Sequence, residues 1–241
     1  MAAYIRDDKE MSIWDHIGEL RKRLLVVMGA LVLGVGASFF GLATTFIDWL
    51  AIPGGGIENF VAIEVTESFS VFMRISLLSG FIMALPIVVW QILAFVVPGL
   101  YDNEKRWVFL AIPIATLLFV SGVAFSYFVM LPVAIPFMAG FLDVRAMWRL
   151  ANYINFVTNM MFWIGMSFEM PLVIFMMAKF NVVNWRMLLA QWRFAIVIIA
   201  VLAAMITPTV DPASMGLLMV PLFIIYLLSV LFAFFARPKP E

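Results

Sequence analysis

The sequence of 241 residues contains no cysteine and a single histidine, His16. The lack of cysteine excludes disulfides, thiolate metal sites and cysteine nucleophiles. One histidine cannot build a metal cluster unaided, and no GxxxxGK[ST] loop occurs, so the sequence predicts neither a cofactor nor a nucleotide site. Only 12% of the residues are charged, and the 15 basic and 15 acidic residues cancel, so no net field favours nucleic acid as a partner. The N-terminal segment is polar, and no removable signal peptide is expected.

Apolar residues dominate the chain at 65% of the total, which excludes a water-soluble fold, since soluble domains are about half apolar. A helix needs about 20 apolar residues to cross the hydrocarbon core of a bilayer. Backbone amides have no water partners in lipid, so each apolar run should be a helix. We therefore predict one all-α integral membrane domain over residues 1–241 with six spans. The predicted spans are 24–47, 75–97, 108–128, 154–177, 194–206 and 215–235.

Two of these runs have unusual lengths. The apolar pattern of the third run continues past Pro132 to Phe137, which predicts that this helix extends or bends beyond the membrane. The fifth run, 194–206, reaches only about 20 Å against a core of about 30 Å. The prolines of TPTVDPAS, Pro208 and Pro212, favour a tight turn between the fifth and sixth helices.

The basic residues predict the orientation of the chain. All but three of the 15 lysines and arginines flank the runs on the side of the two termini, and the three on the opposite side are Arg74, Arg145 and Arg149. By the positive-inside rule, both termini are expected in the cytoplasm, which requires an even number of spans.

The segment SIWDHIGELRKRLL precedes the first span and has apolar residues on one helical face, which predicts an amphipathic helix on the cytoplasmic surface. Within it, Glu19 lies four residues before Arg23. One interpretation is a solvated ion pair within the helix. The other is that Glu19 presents a carboxylate to a cationic ligand, since a carboxylate and a guanidinium can pair through two hydrogen bonds.

Glu104 lies in the second cytoplasmic connection, beside the basic pair Lys105 and Arg106. It either favours the N-terminus of the third helix through the helix dipole or joins Glu19 in binding a basic peptide. The sequence alone leaves both roles open.

Glu169 is the acidic residue placed within a span, about two thirds of the way along the fourth run. An ionised carboxylate near the centre of a spanning helix costs roughly 2.5 kcal/mol or more, so Glu169 is a functional candidate. The alternative is a neutral glutamic acid hydrogen-bonded to a neighbouring helix or to carbonyls freed by Pro171. Gln91 in the second span is a candidate partner for it. Asp211, between two prolines on the outer side, is interpreted as a turn residue.

Four segments, HIGELRKRL, PIVVWQILAFVVPGLYDNEKR, FWIGMSFEMPLV and TPTVDPAS, occur together in the order and spacing of the TatC family. The chain resembles this family from about Ser12 to Phe235. The resemblance implies a glove-like six-helix fold with a concave face and short fifth and sixth helices. It also implies a non-enzymatic receptor, located in the plasma membrane of a prokaryote, for twin-arginine signal peptides of folded precursor proteins. Such a receptor assembles with itself and with the single-span proteins TatA and TatB, and the proton-motive force drives export.

The resemblance also assigns roles to individual residues. The signal-binding carboxylates of the family fall on Glu19 and Glu104. Further residues of the binding surface, by a looser inference, are Arg21, Phe95, Leu100 and Tyr101. The intramembrane polar residues fall on Gln91 and Glu169, and the outer loops carry Pro53, Glu67 and Asp211.

The chain departs from the family pattern at two places. The outer segment that reads SPxEP in many relatives is EVTESF here, so Glu67 is retained while Val65 and Ser68 replace the prolines. In the last span, Leu227 follows Tyr226 where relatives often carry a glutamate. If that glutamate docks a partner helix, this chain must dock the helix differently.

Two other functions compete with the receptor. A secondary transporter would couple protonation of Glu169 to a small solute, but no inverted repeat is visible between the halves of the sequence. A structural subunit would only scaffold a complex, and Glu19 and Glu104 would then be replaceable. An enzyme is least favoured because no constellation of catalytic groups is evident.

Overall fold

A computed structural model describes residues 13–96, 102–140, 148–207 and 212–236, without the side chains of residues 13, 15, 96 and 102–108. Nearly all of this part is helical, which confirms the all-α class. The α-helices are α1 (Ile13–Gly41), α2 (Ala43–Ala51), α3 (Glu67–Val96), α4 (Asp102–Phe125), α5 (Leu131–Ala139), α6 (Leu150–Phe168), α7 (Met170–Lys179), α8 (Trp185–Ala190), α9 (Trp192–Ile206) and α10 (Pro212–Phe235). The two strands, β1 (Phe60–Val61) and β2 (Trp148–Arg149), form a parallel ladder that the sequence analysis missed.

The chain is a polytopic membrane protein. In the described part, five helical segments are long and apolar enough to cross a membrane, namely 16–41, 67–95, 109–139, 150–179 and 212–235. The shorter apolar helix α9 has 15 residues and reaches about 22 Å, as its short run predicted. The sixth helix is not short. α10 has 24 residues and reaches about 36 Å, so the expectation of a short sixth helix was wrong.

Several helices begin or end at residues other than the ends of the predicted spans. The segment before the first span is not a separate surface helix, because α1 runs unbroken from Ile13 into the span. The first run instead breaks at Leu42, directly after Gly41, whose lack of a side chain makes it a poor helix former. The helix that contains the second predicted span begins at Glu67, eight residues before the predicted start of that span.

The third helix does extend beyond its predicted span, as expected. α4 continues through a π-helical turn, Ser126–Met130, into α5, which ends at Ala139. The turn precedes Pro132, which has no N–H to donate, and a wider turn accommodates the lost hydrogen bond.

The helices define two faces of the bundle. The N-terminal face carries the first turns of α1, the last turns of α3 and helix α8. The ladder face, at the other end, carries α2, the β1–β2 ladder and the first turn of α6. The apolar core lies around α6, which packs against α3, α4, α9 and α10. Ile154, Met160 and Ile164 of α6 are almost completely buried in it.

Small residues bring α1 and α3 into close contact. A Cβ atom added to Gly34 would lie 2.5 Å from the carbonyl oxygen of Gly80, and one added to Gly80 would lie 2.5 Å from the backbone of Val35. One turn along α1, the buried hydroxyls of Ser38 and Ser79 share a hydrogen bond. Small residues of this kind allow spanning helices to approach closely. This interface fixes the register of the two helices that form much of the N-terminal face.

Candidate functional site

The N-terminal face holds an ion pair that joins α1 to α3. The Nε atom of Arg23 donates to Oε1 of Glu19 at 2.9 Å, and its Nη2 donates to the same oxygen. Its Nη1 donates to Oε1 of Gln91 on α3 at 3.3 Å. Both partners of the ion pair are partly buried, with side chains 23% exposed for Glu19 and 24% for Arg23. The pair within the helix that the spacing of Glu19 and Arg23 indicated is therefore present.

Helix geometry explains why these residues meet. His16, Glu19 and Arg23 are three or four residues apart and share one side of α1, while Gln91 and Phe95 are one turn apart on α3. The rings of His16 and Phe95 stack with their centroids 4.2 Å apart. The structure thus brings together three residues that the sequence analysis proposed for function, Glu19, Gln91 and Phe95.

The remaining residues proposed for signal binding are less completely described. Arg21 is exposed on α1. Glu104 is the third residue of α4, and its side chain lies outside the described part. Leu100 and Tyr101 fall outside the described residues altogether, as does Asp211 of the predicted outer turn.

Glu169 occupies a break in the fourth span. It separates α6 from α7, where Pro171 in the first turn of α7 lacks the N–H that a continuous helix would use. Its Oε1 atom is buried and has no hydrogen-bond partner among the described residues. The suggested pairing with Gln91 is wrong, because α3 directs Gln91 towards Arg23 on the N-terminal face.

An apolar groove of about 520 Å³ lies beside this break, between α4, α7 and α10. Phe168 and Pro171, on either side of Glu169 in the sequence, line it together with Ile225 of α10. The buried carboxyl group thus lies in a part of the span whose surroundings are almost entirely apolar.

Glu67 is the centre of a polar network on the ladder face. Glu67 is 2% exposed, and its carboxylate accepts hydrogen bonds from the backbone N–H groups of Ile63 at 3.0 Å and Ala151 at 2.8 Å. Nε of Arg149 also donates to it, at 3.0 Å, while Nη2 of Arg149 donates to Glu64 at 2.6 Å. Hydrogen bonds to Glu64 and Glu67 raise the pKa of Arg149 above its usual value. The network ties the loop before α3 to the start of α6.

Pro53 lies in the same outer region, in a 3-10 turn formed by Ile52–Gly54. The two glycines that follow, Gly55 and Gly56, have φ values of 96° and 100°, a backbone conformation that favours glycine. Their conformation reverses the chain between α2 and the ladder.

Several polar contacts inside the bundle were not predicted, among them those of Arg74 and Tyr226. Arg74 of α3 donates to the hydroxyl of Thr158 at 2.7 Å and to Oδ1 of Asn159 at 2.6 Å. Tyr226 of α10 donates to the carbonyl of Leu188 in α8 at 2.6 Å. The sequence signal for the first was an arginine next to an apolar run, which had been interpreted only as a flanking charge.

Comparisons with known proteins agree with this architecture. The family model for TatC, the Sec-independent protein translocase protein, matches residues 15–221. The chain is 33% identical to the TatC protein of Carboxydothermus hydrogenoformans over 97% of both chains. It is 36% identical to that of Deinococcus radiodurans over 90% of this chain and 84% of the relative.

The fold is similar to that of a solved structure. A crystal structure of the twin-arginine translocase receptor TatC superposes with a TM-score of 0.82 and 32% sequence identity, covering 92% of this chain and 99% of the other. A family match over most of the sequence and a fold match over most of the structure lead to the same assignment. The chain belongs to the TatC family of Sec-independent protein translocase proteins.

Proposed function

We propose that the N-terminal face receives the twin-arginine signal peptides of folded precursor proteins, with Glu19 and Glu104 as the two carboxylates that pair with the arginines. The observation that carries this proposal is that Glu19 already holds a guanidinium, that of Arg23, in a partly buried position. Partial burial strengthens such a pair relative to one in bulk water. The carboxylate is thus placed and oriented to bind an arginine.

Neighbouring residues complete the proposed surface. Phe95 is held against α1 by the stacked ring of His16 and offers an aromatic wall beside Glu19. Arg21, Leu100 and Tyr101 are assigned to the rim of the same surface by their place in the family motifs. Gln91 takes part by binding Arg23 rather than the signal peptide.

The proposed orientation places the N-terminal face in the cytoplasm. The chain then crosses the plasma membrane of a prokaryote six times, with α9 as a short fifth span and both termini inside. The ladder face, with Pro53 and Glu67, then lies outside, and the family motif assigns Asp211 to the outer side as well. The bilayer is expected to be thinner beside α9, because 15 residues reach only about 22 Å.

Assembly with TatA, TatB and further copies of the receptor is proposed from membership of the family, with export driven by the proton-motive force. Glu169 offers a polar group inside the membrane to a signal peptide or a partner helix, since its Oε1 has no hydrogen-bond partner in the described part. Leu227 is 45% exposed, and its side chain cannot form a hydrogen bond. A partner helix at this point of α10 must therefore bind through van der Waals contacts. A solute transporter does not fit this family, whose members are protein translocase proteins.

A crosslinking experiment tests the receptor site. A signal peptide with a photoreactive residue next to its basic pair is offered, with either two arginines or two lysines, to the full-length protein in lipid nanodiscs. We expect the twin-arginine peptide to crosslink more strongly, and E19Q or E104Q to reduce its crosslinks. E58Q is the matched control, because Glu58 is an exposed acid on the ladder face. Equal crosslinking by both peptides, or a loss with E58Q alone, would contradict the proposal.

A further inference from the structure

The carboxylate proposed to bind the signal peptide is occupied by the chain itself. Arg23 directs both Nε and Nη2 to one oxygen of Glu19, Oε1. A guanidinium pairs with a carboxylate most strongly through two parallel hydrogen bonds, one to each oxygen. A second arginine cannot form that arrangement with Glu19 while Arg23 holds Oε1.

The charges around Glu19 also oppose binding of a basic peptide while Arg23 is paired with it. With its charge balanced by Arg23, Glu19 presents no net attraction to a cation. The adjoining Lys22 is exposed, and its positive charge repels a basic peptide. The surface attracts two arginines only if Arg23 releases the carboxylate.

The structure also provides a second acceptor for the released side chain. Nη1 of Arg23 already contacts Oε1 of Gln91 at 3.3 Å, which is a long hydrogen bond. A small rotation away from Glu19 can shorten this contact, so Arg23 keeps one partner when it leaves the carboxylate. Gln91 is neutral, so it can accept a hydrogen bond from Arg23 without attracting the arginines of the signal peptide.

We propose that Arg23 is an internal competitor that occupies Glu19 in the empty receptor and must be displaced by an arginine of the signal peptide. The inference rests on the proposed function and adds to it a control of affinity. Because Arg23 must leave Glu19 before any ligand binds there, it lowers the affinity of every ligand for this site by the same factor. Arg23 thus keeps weakly pairing basic peptides, such as those with lysines, below the threshold for binding while twin-arginine peptides remain above it.

The test measures binding of fluorescently labelled twin-arginine and twin-lysine signal peptides to the full-length protein in nanodiscs, by fluorescence anisotropy. R23Q is expected to lower the dissociation constants of both peptides about fivefold relative to K22Q. This is the factor expected for the loss of a partly exposed ion pair. K22Q removes the same charge from the adjacent exposed residue and so measures the electrostatic effect alone.

R23K provides a second variant that leaves the net charge unchanged. An ammonium lacks the planar fork of a guanidinium and competes less well for the carboxylate. R23K should therefore lower the dissociation constants of both peptides about two- to threefold and leave the ratio of the two constants unchanged.

The outcomes separate the two proposals. If E19Q binds the twin-arginine peptide as the unaltered protein does, the receptor site is wrong and the competitor is overturned with it. If E19Q abolishes binding while R23K and R23Q leave it unchanged or weaken it, the receptor site stands and the competitor alone is overturned. Tighter binding of both peptides to R23K than to the unaltered protein, and to R23Q than to K22Q, supports the competitor.

Discussion

The substitution G80A tests whether the contact between α1 and α3 holds the N-terminal face together. Gly80 is buried, and a Cβ added to it would lie 2.5 Å from both N and Cα of Val35. These are backbone atoms, so no side-chain rotation relieves the overlap. The helices must separate by about 1 Å to restore ordinary van der Waals distances of about 3.5 Å.

The loss of stability has two sources, the overpacking itself and the weakening of a hydrogen bond between the two helices. Overpacking of this kind costs about 1–3 kcal/mol. Separation would also lengthen the hydrogen bond between Ser38 and Ser79, and bonds between membrane helices contribute about 0.6 kcal/mol each on average. We therefore expect G80A to lower the free energy of unfolding by about 2–4 kcal/mol.

The assay is equilibrium unfolding in mixed micelles, followed by tryptophan fluorescence, since the chain contains 8 tryptophans. G36A is the matched control, because Gly36 is on α1 and a Cβ there would meet nothing within 4 Å. G36A should be neutral or slightly stabilising, since alanine is the better helix former. If G80A proves as stable as G36A, the close contact between the helices is not the feature that holds them.

Three further substitutions have expected outcomes. E67Q should speed proteolysis of the loops on the ladder face, since an amide cannot replace all the hydrogen bonds that the carboxylate accepts, whereas E58Q, at an exposed acid, should not. Y226F should lower stability by about 1 kcal/mol and speed hydrogen exchange in α8, because it removes the bond to the carbonyl of Leu188; unchanged exchange would refute it. E169Q should change the unfolding free energy little, because Oε1 of Glu169 has no hydrogen-bond partner in the described part; a loss above about 2 kcal/mol would show that the carboxyl group is structural.

Contacts within one helix were predictable from the sequence. The pair Glu19 and Arg23 follows from a spacing of four residues, which sets both side chains on one side of any helix. The extension of the third helix past Pro132 followed in the same way from the length of the apolar run. Both are local properties, and the structure agrees with both.

Contacts between helices were not predictable in the same way. Gln91 was assigned to Glu169 because both are polar and intramembrane, but periodicity does not say which neighbour a helix faces. The packing of Gly34 against Gly80 determines that direction, and it turns Gln91 towards Arg23. The four-residue spacing of Gly34 and Ser38 was a usable signal, since such pairs mark interfaces between membrane helices. The two-residue strands of the ladder are too short to leave any periodicity in the sequence.

The carboxylates on the two faces of the bundle differ in burial and in their number of hydrogen-bond partners. This difference supports placing the receptor site on the N-terminal face. On the ladder face, Glu67 is almost fully buried and receives hydrogen bonds from backbone groups and from Arg149, so a ligand would have to break several bonds to reach it. On the N-terminal face, Glu19 is partly exposed, and the described residues provide it with one partner, Arg23. Exchange of one guanidinium for another at such a site costs little, because the bonds lost and gained are of the same kind. A carboxylate held this way can bind and release an arginine, whereas one held as Glu67 is can only fix a loop.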